Sequence, residues 1–353
     1  MNLDDDFSFA KIDLQNMLAH IDDLPRQLQT AWELGLSQDL PPWNGIRQVL
    51  IAGMGGSAIG ADLLIAYITP HCSVPVFIHR DYSLPAWANG PETLVIASSH
   101  SGNTEETLSS LEMAFARGCR CLAITTGGKL AQLASEAKIP VWRFEHRGQP
   151  RAAVGYSFGL LMAAMLRINL IPDPKNEINE TIRAMQEQQE YLKADINVSG
   201  NPAKRLAGQL AGRWVSVFGA GILAPVARRW KCQLNEIAKT WAQFEFLPEA
   251  DHNTLAGILN PETQLSNLNV LFLGSPSDHP RHRLRSNLTS KVLLIEGIST
   301  HSIDARGETP LAHLWTCLHL GDYVSYYLAM AYGVDPTPVA AIENFKREMI
   351  AAG

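Results

Sequence analysis

Short apolar runs that end in glycine or small polar residues, each followed by a stretch of helical character, organise the first half of the chain. Gln48-Val49-Leu50-Ile51-Ala52 runs into Gly53-Met54-Gly55-Gly56-Ser57 and then AIGADLLIAYI; residues 93–97 run into SSHSGNT and then EETLSSLEMAFARG. A third run, CRCLAITT, passes through Gly127-Gly128 into KLAQLASEA. Strand, glycine turn and helix in alternation build a parallel sheet with helices on both faces. After a polar, helix-prone middle containing ETIRAMQEQQEYLKA, the grammar returns as Trp214-Val215-Ser216-Val217-Phe218, then Gly219-Ala220-Gly221, then LAPVARRWKCQLNEIAK. NVLFLGS and KVLLIEGI read as the next two strands.

The recurrence is a weak internal duplication and predicts an α/β protein with two doubly wound, three-layer α/β/α domains on parallel sheets. The expected organisation is an N-terminal helical segment over 1–40, a first domain over 41–170, a helical linker over 171–201, and a second domain over 202–353 that includes a C-terminal helix. The stretch Asp322-Tyr323-Val324-Ser325-Tyr326-Tyr327-Leu328-Ala329-Met330 reads as a buried helix, inside the protein or at a subunit contact.

Composition narrows the classes. A chain of 353 residues that is 46% hydrophobic can bury a core larger than one ordinary domain needs. With 18% charged residues and a net charge of -6, it offers no strong field for a polyanion, so nucleic acid is not an expected partner. The apolar stretch LLMAAMLRINLI is cut by Arg167 and Asn169, so no membrane span is expected. The opening MNLDDDFSFAKIDL lacks the basic-then-apolar order of a secretory leader. The five cysteines are scattered, which suits buried thiols better than a disulfide framework. His279 and His282 have a ligand-like spacing, but nothing nearby completes a set and Pro280 suggests a loop, so no metal is expected there.

Two glycine turns carry the candidate chemistry, because open sheets bind ligands beyond the carboxyl ends of their strands. Gly53 to Ser57 opens a helix, where backbone N–H groups face outward and glycine lets an anion approach. The same pattern also serves dinucleotide folds or simple helix packing. The turn from Ser99 to Thr107 concentrates Ser99, Ser101 and Thr104 around Gly102 at another helix start. Capping would need one hydroxyl; several suit a phosphate. A dinucleotide site would want an acid after the second strand, and only Asp81 is available.

GMGGSAIG, SSHSGNTEET and QPRAAVGYSFG, followed in order by NEIAK, LPEADHNTLAG, LGDYVSYYLAMAYGVDPTPV and IENFKREM, resemble the bifunctional phosphoglucose/phosphomannose isomerases over nearly the whole chain. The resemblance implies sugar isomerase (SIS) domains and interconversion of glucose 6-phosphate or mannose 6-phosphate with fructose 6-phosphate, without metal or redox cofactor. It implies that Gly56, Ser57, Ser99, Ser101 and Thr104 hold the phosphate. Arg151 matches an arginine beside the reacting carbons, Glu236 the base that moves a proton between C2 and C1, and His252 the histidine that opens the sugar ring. Lys346 matches a lysine on the ring oxygen or hydroxyls, and Thr337 falls where room around C2 and C3 is set. One carboxylate suffices for the proton transfer, since it occurs on one face of a planar enediol.

Asp251 stands where members of the family carry Asn; pointing inward, it would raise the pKa of His252. Phe345 replaces a leucine. The resemblance further implies a homodimer, in which His252 serves either its own or the partner's site, and the absence of a leader and of a membrane span makes a cytoplasmic location the expectation. Two rival readings remain at this level: a non-catalytic sugar-phosphate-binding regulator, which would keep the serines but need no base, and an isomerase of another phosphosugar.

Overall fold

The computed structural model describes residues 2–352, so the outermost bounds of the expected organisation, residues 1 and 353, lie outside the described residues. Two helices, α1 (Met17–Asp22) and α2 (Leu24–Ser37), precede β1 (Gln48–Ala52), α3 (Gly55–Ile68), β2 (Val76–His79), β3 (Thr93–Ser99), α4 (Glu105–Ala116), β4 (Arg120–Thr125), α5 (Gly128–Glu136), β5 (Val141–Arg143) and α6 (Val154–Arg167). Then come α7 (Lys175–Gln189), α8 (Pro202–Leu210), β6 (Trp214–Ala220), α9 (Ala224–Glu236), β7 (Ala242–Leu247), α10 (Glu262–Leu265), β8 (Leu268–Gly274), α11 (Pro280–Ile295), β9 (Ser299–Asp304), α12 (Pro310–Tyr332) and α13 (Ala340–Ala352).

The strands form two parallel sheets, one ordered β2-β1-β3-β4-β5 and the other β7-β6-β8-β9. Alternation along each strand explains the layers, since successive side chains point to opposite faces. Val49, Ile51, Leu94, Ile96, Leu122 and Ile124 enter one core, while Leu50, Ala52, Val95, Ala97, Cys121 and Ala123 enter another beneath Leu111 of α4 and Leu130 of α5. The second sheet repeats this: Val215, Val217 and Leu271 join the first core, whereas Phe218, Val270 and Phe272 pack with Leu293 of α11. The two halves therefore share one interior, in which α12 is buried over most of its 23 residues.

Within residues 171–201, α7 is fastened to that interior: Gln188 Nε2 donates to the Thr316 carbonyl at 2.9 Å and Gln189 Nε2 to the Tyr323 hydroxyl at 3.0 Å.

Two local expectations are corrected. KVLLIEGI is not a strand; its apolar residues end α11, where Leu293 is buried but Leu294 and Ile295 are exposed. A short continuous apolar run has no period that distinguishes strand from helix. The strand is the polar Ser299–Asp304, which pairs only with β8 at the sheet edge and buries little beyond Ile303. His279-Pro280 is likewise not a loop. Pro280 starts α11, and His279 caps it by accepting from the Arg281 N–H at 3.2 Å. Proline suits the first helical position because its missing N–H would have had no intrahelical partner.

Among the described residues, no helix is long and apolar enough to cross a membrane, and no three His, Cys, Asp or Glu side chains are placed to hold a metal.

Candidate active site

In the first sheet the order reverses between β1 and β3, and the register sets Ala52 beside Ala97. The two glycine turns therefore leave the sheet side by side at its switch point, where such sheets bind ligands. Ser57 Oγ accepts from the His100 N–H at 3.2 Å, which ties one turn to the other. Ser99 Oγ accepts from the Gly102 N–H at 3.1 Å and lies 2.9 Å from Thr104 Oγ1. Ser101 is exposed, with its Oγ accepting from the Asn103 N–H at 3.2 Å. Thr104 holds the N-cap position of α4 but makes no side-chain capping bond, so its hydroxyl is not spent on the helix. Gly102 has φ +66°, and a Cβ there would meet the Gly127 carbonyl oxygen at 1.9 Å, which leaves glycine alone at that position.

Gly56 has a different task. A Cβ on it would stand 2.5 Å from the Pro150 carbonyl oxygen, so the absent side chain lets the segment Pro150–Ala152 lie against the first turn of α3. That segment carries Arg151, which is 3% exposed. Its Nη1 lies 3.6 Å from Glu236 Oε2, at the last residue of α9. Its Nη2 donates to the carbonyls of Pro336, at 2.9 Å, and Thr337. Burial lowers the Arg151 pKa, and Glu236 acts against that shift. Arg151 Nε and Thr337 Oγ1 are buried without a hydrogen-bond partner among the described residues. Orphaned polar atoms of this kind are uncommon in a folded interior and point to a ligand or solvent position.

Four residues that sequence reasoning did not single out hold this arrangement. Arg229 donates to the Asp322 carboxylate through Nε at 3.2 Å and Nη2 at 2.8 Å, and Nη2 also reaches the Arg151 carbonyl at 2.7 Å. Gln233 Nε2 donates to the same carboxylate at 2.9 Å. Arg229, Gln233 and Glu236 are spaced by four and three, hence on one face of α9. Asp322, the one acid within an otherwise apolar part of α12, was the legible signal. Lys239, the fourth, sends its ammonium to the Glu236 carbonyl at 2.5 Å and to that of Pro336 at 3.3 Å. Asp62 of α3 accepts from Arg228 Nη1 of α9 at 2.9 Å, linking the helix that opens at the first turn to the helix that ends at Glu236.

The structure brings together Gly56, Ser57, Ser99, Thr104, Arg151 and Glu236 through these contacts, but not His252 or Lys346. His252 is exposed beyond β7, and no hydrogen bond or ion pair joins it to Arg151 or Glu236 among the described residues. Asp251 does not point at it: Arg285 Nη1 and Thr289 Oγ1 both hold the Asp251 carboxylate at 2.8 Å, facing α11. Lys346 lies on α13, whose residues are all exposed. Glu343, one turn earlier on that helix, is near enough to Arg151 to oppose the lowering of its pKa.

Behind the second turn stands a histidine cluster. His100 Nε2 is 3.0 Å from His146 Nδ1, and the His20 ring centroid is 5.1 Å from that of His146. Burial first, then His100 and His20, pushes the His146 pKa down to about 4, and burial lowers that of His100. A free histidine titrates near about 6.5, so between that pH and about 4 the unfolded chain binds more protons than the folded one. Stability should consequently fall as pH drops through that window. Thermal unfolding at about pH 6.5 and about pH 4.5 should give a lower midpoint in acid, and His146→Gln should shrink the difference. An undiminished difference in the variant would assign the acid sensitivity elsewhere.

Comparisons with known proteins show the family and the fold. Residues 199–349 match the model of the bacterial phospho-glucose isomerase C-terminal SIS domain. The chain is 38% identical over 338 residues to the bifunctional phosphoglucose/phosphomannose isomerase of Caldicellulosiruptor bescii, covering 94% of this chain and 98% of that protein. It is 35% identical to the enzyme of the same name from Aquifex aeolicus, covering 91% and 95%. Among solved structures, the C-terminal domain of glucosamine-fructose-6-phosphate aminotransferase from Francisella tularensis superposes with a TM-score of 0.69 at 17% identity, covering 91% of this chain and 97% of that one, a likeness of fold. Two SIS-type α/β units on parallel sheets, with sequence similarity running through both, place the chain in the bifunctional phosphoglucose/phosphomannose isomerase family.

Proposed function

We propose that the chain interconverts glucose 6-phosphate and mannose 6-phosphate with fructose 6-phosphate through an enediol. The observation that carries this is the buried Arg151 guanidinium facing the Glu236 carboxylate at 3.6 Å, on a segment that lies against the first of the two glycine turns. Gly56, Ser57, Ser99, Ser101 and Thr104 would hold the phosphate, an anchor remote from the reacting carbons whose binding energy orients C1 and C2. Glu236 would take the proton from C2 and return it to C1, while the hydroxyl proton passes from O2 to O1. Arg151 would meet the negative charge that develops on the enediolate oxygen.

His252 would open the ring and Lys346 would contact the ring oxygen or hydroxyls. Both lie exposed in the single chain, which supports a homodimer in which His252 completes the partner's site. On α13, Ile342, Phe345 and Met349 are exposed at helical spacing, an apolar face suited to burial in such an assembly. The units 41–170 and 202–353, joined through 171–201, would supply phosphate binding and proton transfer respectively. The cysteines are free thiols, in keeping with a reducing cytoplasm.

The test is a coupled assay for fructose 6-phosphate formed from each aldose phosphate, with chelator present. Product from both supports the bifunctional enzyme, and product from one narrows it to that substrate. Tight binding of a sugar phosphate without turnover would replace the reading with a non-catalytic one. Gly56→Ala should lower kcat/KM by about 10²-fold, because the added methyl displaces Pro150 and with it Arg151. An unchanged kcat/KM would show that the close approach of the two segments does not matter to catalysis.

A further inference from the structure

Three residues past the end of α9, Lys239 adopts φ +55°, a left-handed backbone that side-chain-bearing residues seldom take. Such strain persists only where the surroundings enforce it, and it concentrates at functional sites. The conformation here turns the side chain back across the helix end. Its ammonium then lies between the carbonyl of Glu236, at 2.5 Å, and that of Pro336, at 3.3 Å. Arg151 Nη2 donates to the same Pro336 carbonyl at 2.9 Å, so two cations share one acceptor. Pro336 and Thr337 are buried in a turn closed by Asp335, whose Oδ1 accepts from the Thr337 N–H at 2.9 Å. The turn leads directly into α13.

We propose that Lys239 is a positioning residue of the isomerase site: by bridging the Glu236 and Pro336 carbonyls, it locks the Asp335–Thr337 turn against the helix end that presents the base. The inference rests on the isomerase reading above. Among the described residues, the other side-chain hydrogen bonds to the carbonyls of this turn come from Arg151, which must also face Glu236 and the substrate. The ammonium adds a second positive charge on the side where enediolate charge develops.

The charged groups that face Lys239 are Arg151 from the segment before α6, Glu236 from α9 and Asp335 from the turn itself. Partial burial, then Arg151, lowers its pKa to about 8, with Asp335 and Glu236 opposing. The bridge therefore carries its charge at neutral pH and loses it as pH rises through about 8. A neutral amine still donates hydrogen bonds but grips a carbonyl less strongly and no longer supports the developing anion. Arginine, which stays protonated at these pH values, keeps the charge.

The experiment is the pH dependence of kcat for the full-length protein and two variants. The unaltered protein should lose activity on the alkaline side with an apparent pKa of about 8. Lys239→Arg should stay active at neutral pH, and its alkaline loss should move up by about one pH unit or more. Lys239→Met should lower kcat by about tenfold at neutral pH and lack the alkaline step, with a smaller change in KM. An alkaline limb that stays in place in Lys239→Arg would overturn the inference, because a merely structural lysine would be rescued without moving it. That variant keeps the test decisive if Lys239→Met does not fold. An unaltered protein that turns over no sugar phosphate would remove the isomerase reading and this inference together; turnover with an unshifted limb removes this inference alone.

Discussion

Glu236→Gln should lower kcat by about 10²–10⁴-fold while leaving sugar-phosphate affinity nearly intact, the loss expected when a general base becomes an amide of the same shape. Among the described residues, no hydrogen bond or ion pair joins this side chain to Ser57, Ser99, Ser101 or Thr104, the proposed phosphate ligands, so binding and chemistry should separate. Glu236 keeps 30% of its side chain exposed, so removing its charge should cost the fold little, as for other partly exposed ion pairs. Exchange of the C2 hydrogen with solvent, followed by NMR on bound substrate, should stop together with turnover. Loss of turnover with exchange intact would show that another group removes that proton. Normal turnover would take Glu236 out of the mechanism altogether.

Asp322→Ala should destabilise the protein by about 3–5 kcal/mol, the range for breaking a buried ion pair from one side. The Arg229 side chain is 2% exposed and that of Asp322 4%, and Gln233 also donates to the carboxylate. Alanine would leave the guanidinium buried without a counter-charge and the Gln233 amide without its acceptor. Denaturant unfolding should reveal the cost as a lower midpoint at unchanged slope. Asp322→Asn, which keeps the shape and loses the charge, should fall between the two. Activity should drop as well, because Arg229 also holds the Arg151 carbonyl at 2.7 Å. A stability loss below about 1 kcal/mol would mean that Arg229 finds another partner or water.

Much of the first half was legible because strands covered on both faces are almost wholly apolar and end at glycines with few alternatives. Gln48–Ala52 falls where the pattern puts it, and the helix that follows begins at Gly55, within the expected turn, and ends at Ile68. The second half was harder at its edge. The polar β9 carries no strand signal, since an edge strand packs on one neighbour only, and the apolar tail of α11 took its place in the sequence reading. The serine-rich turn, Arg151 and Glu236 could be nominated from residue type and local context. Arg229, Gln233 and Lys239 could not, because nothing in the surface-like run of polar residues along α9 and just past its end shows which of them faces the interior.

The sequence by itself determined the alternation of strand, glycine turn and helix, the placement of hydroxyls at the turn after β3, and the family to which the motifs point. These are local properties: hydrophobic period, backbone freedom at glycine and short-range spacing are written within a few residues of one another. Tertiary structure alone decided that Pro150 lies against Gly56, that Arg151 is buried facing a carboxylate 85 positions away in the chain, and that Lys239 and Arg151 share one carbonyl. Each of those depends on how α3, α9 and α12 pack around a common core, and packing between distant segments leaves no periodic trace in the chain that encodes it.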